Sequence, residues 1–126
     1  MTAMLEHVNV TVADPAATAA MLGRLFGWRV RWQGAAKGGG HTVHVGTDSQ
    51  YVALYRAPGA QAAGCSSYDQ LAGLNHIAVV VENLDALESL VKAEGLESHS
   101  HADYEPGRRF YFHDRDGIEF EVVSYA

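Results

Sequence analysis

Apolar and polar residues alternate from His7 to Val12 within a predicted strand over residues 5–12. One face carries Val8, Val10 and Val12, and the other His7, Asn9 and Thr11. The period then lengthens. Asp14 and Pro15 form a helix start, with Asp as N-cap and Pro in the first turn. That helix is expected to run to about Phe26 and to stop at Gly27. A second strand is predicted from Trp28 to Gln33, and a flexible loop with three consecutive glycines from Gly34 to Gly40. His41–Gly46 and Tyr51–Arg56 read as a hairpin turning over Thr47–Gln50.

The same order then recurs. A strand is predicted at 74–81, a helix from about Leu84 to Glu94 ending at Gly95, and a short strand near 96–100. A hairpin follows at 108–113 and 118–124, turning over Asp114–Gly117. Leu5-Glu6-His7-Val8-Asn9-Val10-Thr11-Val12 lies over Leu74-Asn75-His76-Ile77-Ala78-Val79-Val80-Val81 at an offset of 76 − 7 = 69, and the later strands match at 121 − 53 = 68. A unit this long, present twice, indicates two fused modules rather than a solenoid. Module one covers about 4–56, an Ala-, Gly- and Ser-rich linker about 57–73, and module two about 74–125, all within a single domain spanning 1–126. The order βαβββ, twice, predicts an α+β fold with eight mainly antiparallel strands.

Composition narrows the function. Nine Lys and Arg against fifteen Asp and Glu give a net charge of −6, which argues against a nucleic-acid or anionic-membrane surface. The lone Cys65 rules out an internal disulfide and fits a reducing cytoplasm. No signal-peptide pattern opens the chain, and its apolar runs are too short to span a bilayer, so a cytoplasmic location is expected.

The chemistry rests on equivalence. A single histidine on a strand is ordinarily a packed or rim residue. His7 and His76, however, occupy the same repeat position and the same strand face, away from the valines and isoleucine. In the last strand Glu119 and Glu121 share a face, so either can supply a carboxylate. Two imidazoles and a carboxylate with open positions suit iron(II), manganese or zinc.

On these residues the chain resembles the vicinal oxygen chelate superfamily, which includes glyoxalase I, extradiol dioxygenases, and fosfomycin- and bleomycin-resistance proteins. The carriers are residues 5–14, Leu22–Trp28, Leu74–Val79 and the ending Phe110-Tyr111-Phe112-His113-Asp114-Arg115-Asp116-Gly117-Ile118-Glu119-Phe120-Glu121. The resemblance implies a curved, mainly antiparallel eight-stranded glyoxalase-like sheet. It selects Glu121 over Glu119 and so implies a ligand set of His7, His76 and Glu121. The metal it implies is iron(II) or manganese, with zinc or nickel as alternatives. It also implies a homodimer with sites shared between chains, and a dioxygenase, lyase or transferase that chelates a small oxygenated substrate through two oxygens.

The position of a fourth glyoxalase I ligand is Ala53 here, whose methyl cannot ligate, so that activity is disfavoured. Tyr111 is the candidate hydrogen-bond donor to a bound oxyanion, and His41 or His44 the candidate acid/base. Asn9, Tyr51 and Arg109 are the candidate substrate contacts. The rival reading is a metal-free protein that sequesters a bleomycin-type antibiotic.

Overall fold

Asp14 starts the first helix as its side chain requires: Oδ1 accepts the Ala17 N–H at 3.1 Å, and Pro15 opens the first turn of α1 (Pro15–Phe26). Such a cap contributes about 1 kcal/mol. Gly27 ends the helix with φ 70°, a left-handed turn that a side chain would oppose. The computed structural model describes residues 1–126, the side chain of Lys37 excepted. It divides into two units, Met1–Gln61 and Ala62–Ala126.

In the first unit, β1 (His7–Thr11), β2 (Arg29–Ala35), β3 (His41–Gly46) and β4 (Tyr51–Arg56) form a sheet in the order β1-β4-β3-β2. β1 is parallel to β4, and the other pairings are antiparallel. Helix α1 covers one face, burying Leu22 and Leu25 with Val43, Val45 and Leu54. The second unit repeats this plan with β5 (Ile77–Val80), α2 (Leu84–Ala93), β6 (Ser98–Tyr104), β7 (Gly107–His113) and β8 (Glu119–Ser124) in the order β5-β8-β7-β6. Its core holds Phe110, Phe112, Phe120, Val122 and Val91, with the rings of Phe112 and Phe120 stacked 5.1 Å apart. The eight strands and two helices of the expected α+β repeat are thus present, as two four-stranded mixed sheets. Among the described residues no helix is long and apolar enough to cross a membrane.

Three strands depart from the sequence expectation in ways that bear on the site. β2 continues through Gly34 to Ala35, into the expected glycine loop. The Trp32 ring lies across Gly34, 2.8 Å from where a Cβ would stand, so a side chain there would have to displace the indole. β5 starts only at Ile77, leaving His76 just ahead of it. β6 runs to Tyr104, well past the expected end near residue 100. Its polar sequence has no apolar alternation, and its extent comes from pairing with β7 as far as Tyr104↔Gly107.

The edge strands β2 and β6 carry a bulge at the equivalent place. Val30 and Trp32 pair with the adjacent Val45 and His44, leaving Arg31 as the extra residue. On β6, Ser100 and His101 stand between the residues paired with Tyr111 and Arg109, again one more than the partner strand supplies. Arg31 plus the repeat offset of 76 − 7 = 69 is Ser100.

The β7–β8 turn is organised by Asp114, whose buried Oδ1 accepts the N–H groups of Asp116 at 3.0 Å and Ile118 at 2.9 Å. Burial pushes its carboxyl above the ordinary aspartate value, against the lowering effect of those N–H donors. A raised folded-state value means that this group's stabilisation is fully present below its unfolded value, about 3.9, and is lost as pH rises through the folded one. Urea midpoints of Asp114→Asn, taken from about pH 3 to about pH 7, are therefore expected to gain on those of the wild type as pH rises. A gap independent of pH would contradict this account of the turn.

Candidate metal centre

Alternation places His7 and Asn9 on the face of the first sheet opposite α1, with His7 in register with Tyr51 and Asn9 with Ala53. The His7 ring stacks on Tyr51 at 4.7 Å, the His44 ring stacks on the same tyrosine at 4.5 Å, and the Arg31 guanidinium lies 4.5 Å from its centroid. Tyr51 is thus half-buried packing for three cationic or titratable groups. Burial holds His44 below the ordinary histidine value, helped by the charges of His7 and Arg31 and opposed by Glu6. His7 Nδ1 lies 2.8 Å from Glu6 Oε1. A carboxylate has no proton to give, so Nδ1–H donates and a neutral ring carries its lone pair on Nε2.

The second unit fixes its histidine the same way. Tyr68 Oη donates to Glu119 Oε2 at 2.7 Å. His76 Nδ1 lies 3.3 Å from that phenol oxygen, whose one proton is already committed, so here too Nδ1–H donates and Nε2 is left as the ligating nitrogen. Tyr68 belongs to the linker and was not legible as a functional residue, because nothing local couples residue 68 to 76 and 119. The hydrogen bond to Glu119 raises its phenol above the ordinary value.

Glu121 sits on β8 opposite Tyr111 and beside Ala78, only 9% exposed. Tyr111 donates a short hydrogen bond to its Oε2, and Arg109 Nη1 lies 3.7 Å from the same oxygen. The Glu121 hydrogen bond, and then burial, push the Tyr111 phenol up to about 12, so it stays a neutral donor at ordinary pH. Tyr111 also meets the His76 ring edge-on, with centroids 5.7 Å apart. His76, Tyr111 and Glu121 are therefore brought together within one unit.

The two remaining candidates are Arg109, beside Glu121, and His41. Arg109, expected at a substrate, directs Nε and Nη2 to the Gly107 carbonyl at 3.2 and 3.0 Å and stacks over Tyr104, so most of its donors serve the protein itself. His41 lies at the far end of β3, paired with Arg56, and by alternation shares the helix-side face with Val43 and Val45. His44, not His41, joins the His7 face, because the hairpin register makes it the neighbour of Ala53. Ala53 is 2% exposed and occupies the position equivalent to Glu121: Asn9 pairs with Ala53 as Ala78 pairs with Glu121.

A further group shares the open face of the second sheet: His99, His113 and Glu119, whose donor atoms all lie within 4.8 Å of one another. It was not anticipated. The period of two along β7 does put His113 on the Tyr111 face, but His99 reaches it only through the β6 register.

The family model described as Glyoxalase/Bleomycin resistance protein/Dioxygenase superfamily matches residues 4–122. Among solved structures, the chain is similar to a glyoxylase/bleomycin resistance protein/dioxygenase domain from Frankia sp. EAN1pec, with TM-score 0.83 and 20% identity over 98% of this chain and 93% of that one. It is similar to the fosfomycin resistance protein FosX from Listeria monocytogenes, solved with Mn(II) and sulfate, with TM-score 0.75 and 22% identity over 98% and 93% of the two chains. FosX from Mesorhizobium loti follows at TM-score 0.73 and 24% identity, with the same coverage. At these identities the likeness establishes the fold. No curated protein matches the chain by sequence.

Proposed function

The chain belongs to the glyoxalase/bleomycin resistance protein/dioxygenase superfamily, and from that premise we propose that it is a cytoplasmic metal-dependent enzyme acting on a small oxygenated substrate. His7, His76 and Glu121 are its ligands, with the two modules working as one domain. The observation that carries this reading is the shared tautomer. Each candidate histidine has Nδ1–H tied to a neighbour, Glu6 for His7 and Tyr68 for His76, so that each offers Nε2. This outer hydrogen bond is the usual accompaniment of a ligating imidazole. Two nitrogens and one carboxylate suit iron(II) or manganese, with zinc and nickel as alternatives. Manganese has a precedent in the Mn(II) complex of the Listeria FosX.

When bound, such an ion acts as a Lewis acid toward neighbouring oxygens of a chelated substrate. The chain's own residues do the rest. Tyr111 keeps its proton and orients the Glu121 carboxylate. Arg109 offsets the charge of that buried carboxylate. Asn9 presents an amide beside His7 on the same open face, and Tyr51 gives that face an aromatic wall. Ala53 supplies no fourth ligand, which favours dioxygenase, lyase or transferase chemistry over isomerisation of a glutathione hemithioacetal. The ligands come from both modules, and a homodimer that pairs His7 of one protomer with His76 and Glu121 of its partner is the proposed arrangement.

The test is metal retention by untagged protein reconstituted anaerobically with iron(II), manganese or zinc and then dialysed. Wild type is expected to keep an ion that His7→Ala and His76→Ala lose. Tyr68→Phe, a change at an exposed residue, is expected to weaken retention by about ten- to a hundredfold. If no retained ion depends on His7 or His76, the reading fails in favour of a metal-free, bleomycin-type binding protein.

A further inference from the structure

We propose that His99, His113 and Glu119 form a second transition-metal site with its own ligands, distinct from the His7, His76 and Glu121 set. The spacing of the donors is the first argument. His99 Nε2 and His113 Nδ1 are 3.0 Å apart. Two nitrogens each about 2.1 Å from one ion are about 3.0 Å apart at right angles about it and about 3.4 Å apart at the tetrahedral angle, so the observed spacing is near that of a ligand pair. Glu119 brings a carboxylate oxygen within 4.8 Å of both nitrogens, close enough for a small movement of its side chain to complete the set. Tyr68 engages Glu119 through Oε2, and the carboxylate has a second oxygen to offer.

A hydrogen bond between the two rings accounts for the 3.0 Å contact, but not for the third donor or for the way His99 is held. Its Nδ1 lies 2.9 Å from Ser100 Oγ. Ser100 sits in the β6 bulge with φ 55°, a left-handed conformation uncommon for any residue but glycine. The bulge spends this conformation on turning His99 toward β7 while the next histidine, His101, goes to the opposite face and contacts Glu88 of α2. Backbone strain of this kind gathers at working sites.

The protons balance without an outside partner. At 3.0 Å two facing lone pairs repel, so one of the facing nitrogens carries a hydrogen when no ion is bound. With that hydrogen on His99 Nε2, Nδ1 accepts from Ser100. Transfer of the hydrogen from Nε2 to Nδ1 frees the ligating lone pair and makes Ser100 Oγ the acceptor, a role a hydroxyl can take equally. His113 is already in the ligating form, with its lone pair on Nδ1. Two imidazoles and one carboxylate, with His99 and Glu119 half-buried and His113 exposed, select zinc, cobalt or nickel over calcium or magnesium.

Titration of the untagged full-length chain with Co(II) and Zn(II) tests this, read by Co(II) electronic absorption and by bound metal. His99→Ala and His113→Ala are each expected to remove one equivalent that Glu121→Gln leaves in place. Ser100→Gly keeps the left-handed backbone and removes the hydroxyl, and is expected to weaken that equivalent by about ten- to a hundredfold with circular dichroism unchanged. If metal capacity and Co(II) spectrum are the same in His99→Ala and His113→Ala as in wild type, the rings are joined by a hydrogen bond only and the proposal falls. If these variants lose an equivalent while Glu121→Gln loses none, this site stands and the His7, His76 and Glu121 reading fails. Glu119 contacts Tyr68, which contacts His76, so a Glu119 variant touches both sites and the histidine variants carry the discrimination.

Discussion

Glu121→Gln is expected to lose more than about a hundredfold in metal retention at the His76 site, beyond the ten- to hundredfold that loss of an outer hydrogen bond costs, and to lose turnover with it. Three features make this the largest functional effect. Glu121 is a buried carboxylate at 9% exposure, and a charge in that setting needs compensation. Its partners here are the neutral Tyr111 hydroxyl and Arg109 at 3.7 Å, a distance too long for a hydrogen bond. A divalent ion is the further positive charge, beside Arg109, that the proposed function supplies. Glutamine preserves the volume and the acceptor oxygen for Tyr111, so the fold should survive while the anionic ligand is gone. Tyr111→Phe is the informative companion: it leaves the charge and removes the orienting donor, so a smaller loss is expected. The measurement is metal content after reconstitution and dialysis, with circular dichroism as the fold control. Wild-type retention in Glu121→Gln would remove Glu121 from the ligand set.

Phe110→Ala is expected to lower stability by about 3–5 kcal/mol, the cost of deleting a fully buried aromatic side chain and leaving the cavity unfilled. Phe110 is 0% exposed at the centre of β7 on the face that α2 covers, in one layer with Phe112 and Phe120. Net stabilities of domains are about 5–15 kcal/mol, so this one change removes a large share. Urea denaturation followed by circular dichroism reads the shift in midpoint. Leu71→Ala is the control: Leu71 is 102% exposed, and its change should stay within about 0.5 kcal/mol. A loss below about 1 kcal/mol in Phe110→Ala would mean that the sheet recloses around the gap, contrary to a tightly packed layer.

How much of this was legible depends on whether the signal is local. The helix start at Asp14 is written in a residue that accepts an N–H three positions on, and that cap is present in the structure. The His41–Gly46 and Tyr51–Arg56 hairpin matches its predicted limits because alternation and turn lie within one short stretch. The face shared by Tyr111 and Glu121 follows from a period of two on neighbouring strands. His41 shows the limit of such reading. Its nearness to a hairpin made it a candidate, but only the count of residues along β3 separates its face from that of His44.

The amino-acid sequence by itself determined the two-fold repeat, the order of strands and helices, the apolar faces that become the cores, and the equivalence of His7 with His76. Each is a matter of period, capping or self-similarity, which a chain carries in short windows. Only the tertiary structure decided which side chains meet. In the run Ser98-His99-Ser100-His101 simple alternation puts both histidines on one face, yet the bulge sends His99 to His113 and His101 to Glu88. The Tyr68 hydroxyl joins His76 to Glu119 across 119 − 68 = 51 residues of chain. Strand register is set by pairing between segments distant in sequence, and one inserted residue reverses every side chain beyond it. For that reason the elements were readable from the chain, and the hydrogen bonds that orient the candidate ligands were not.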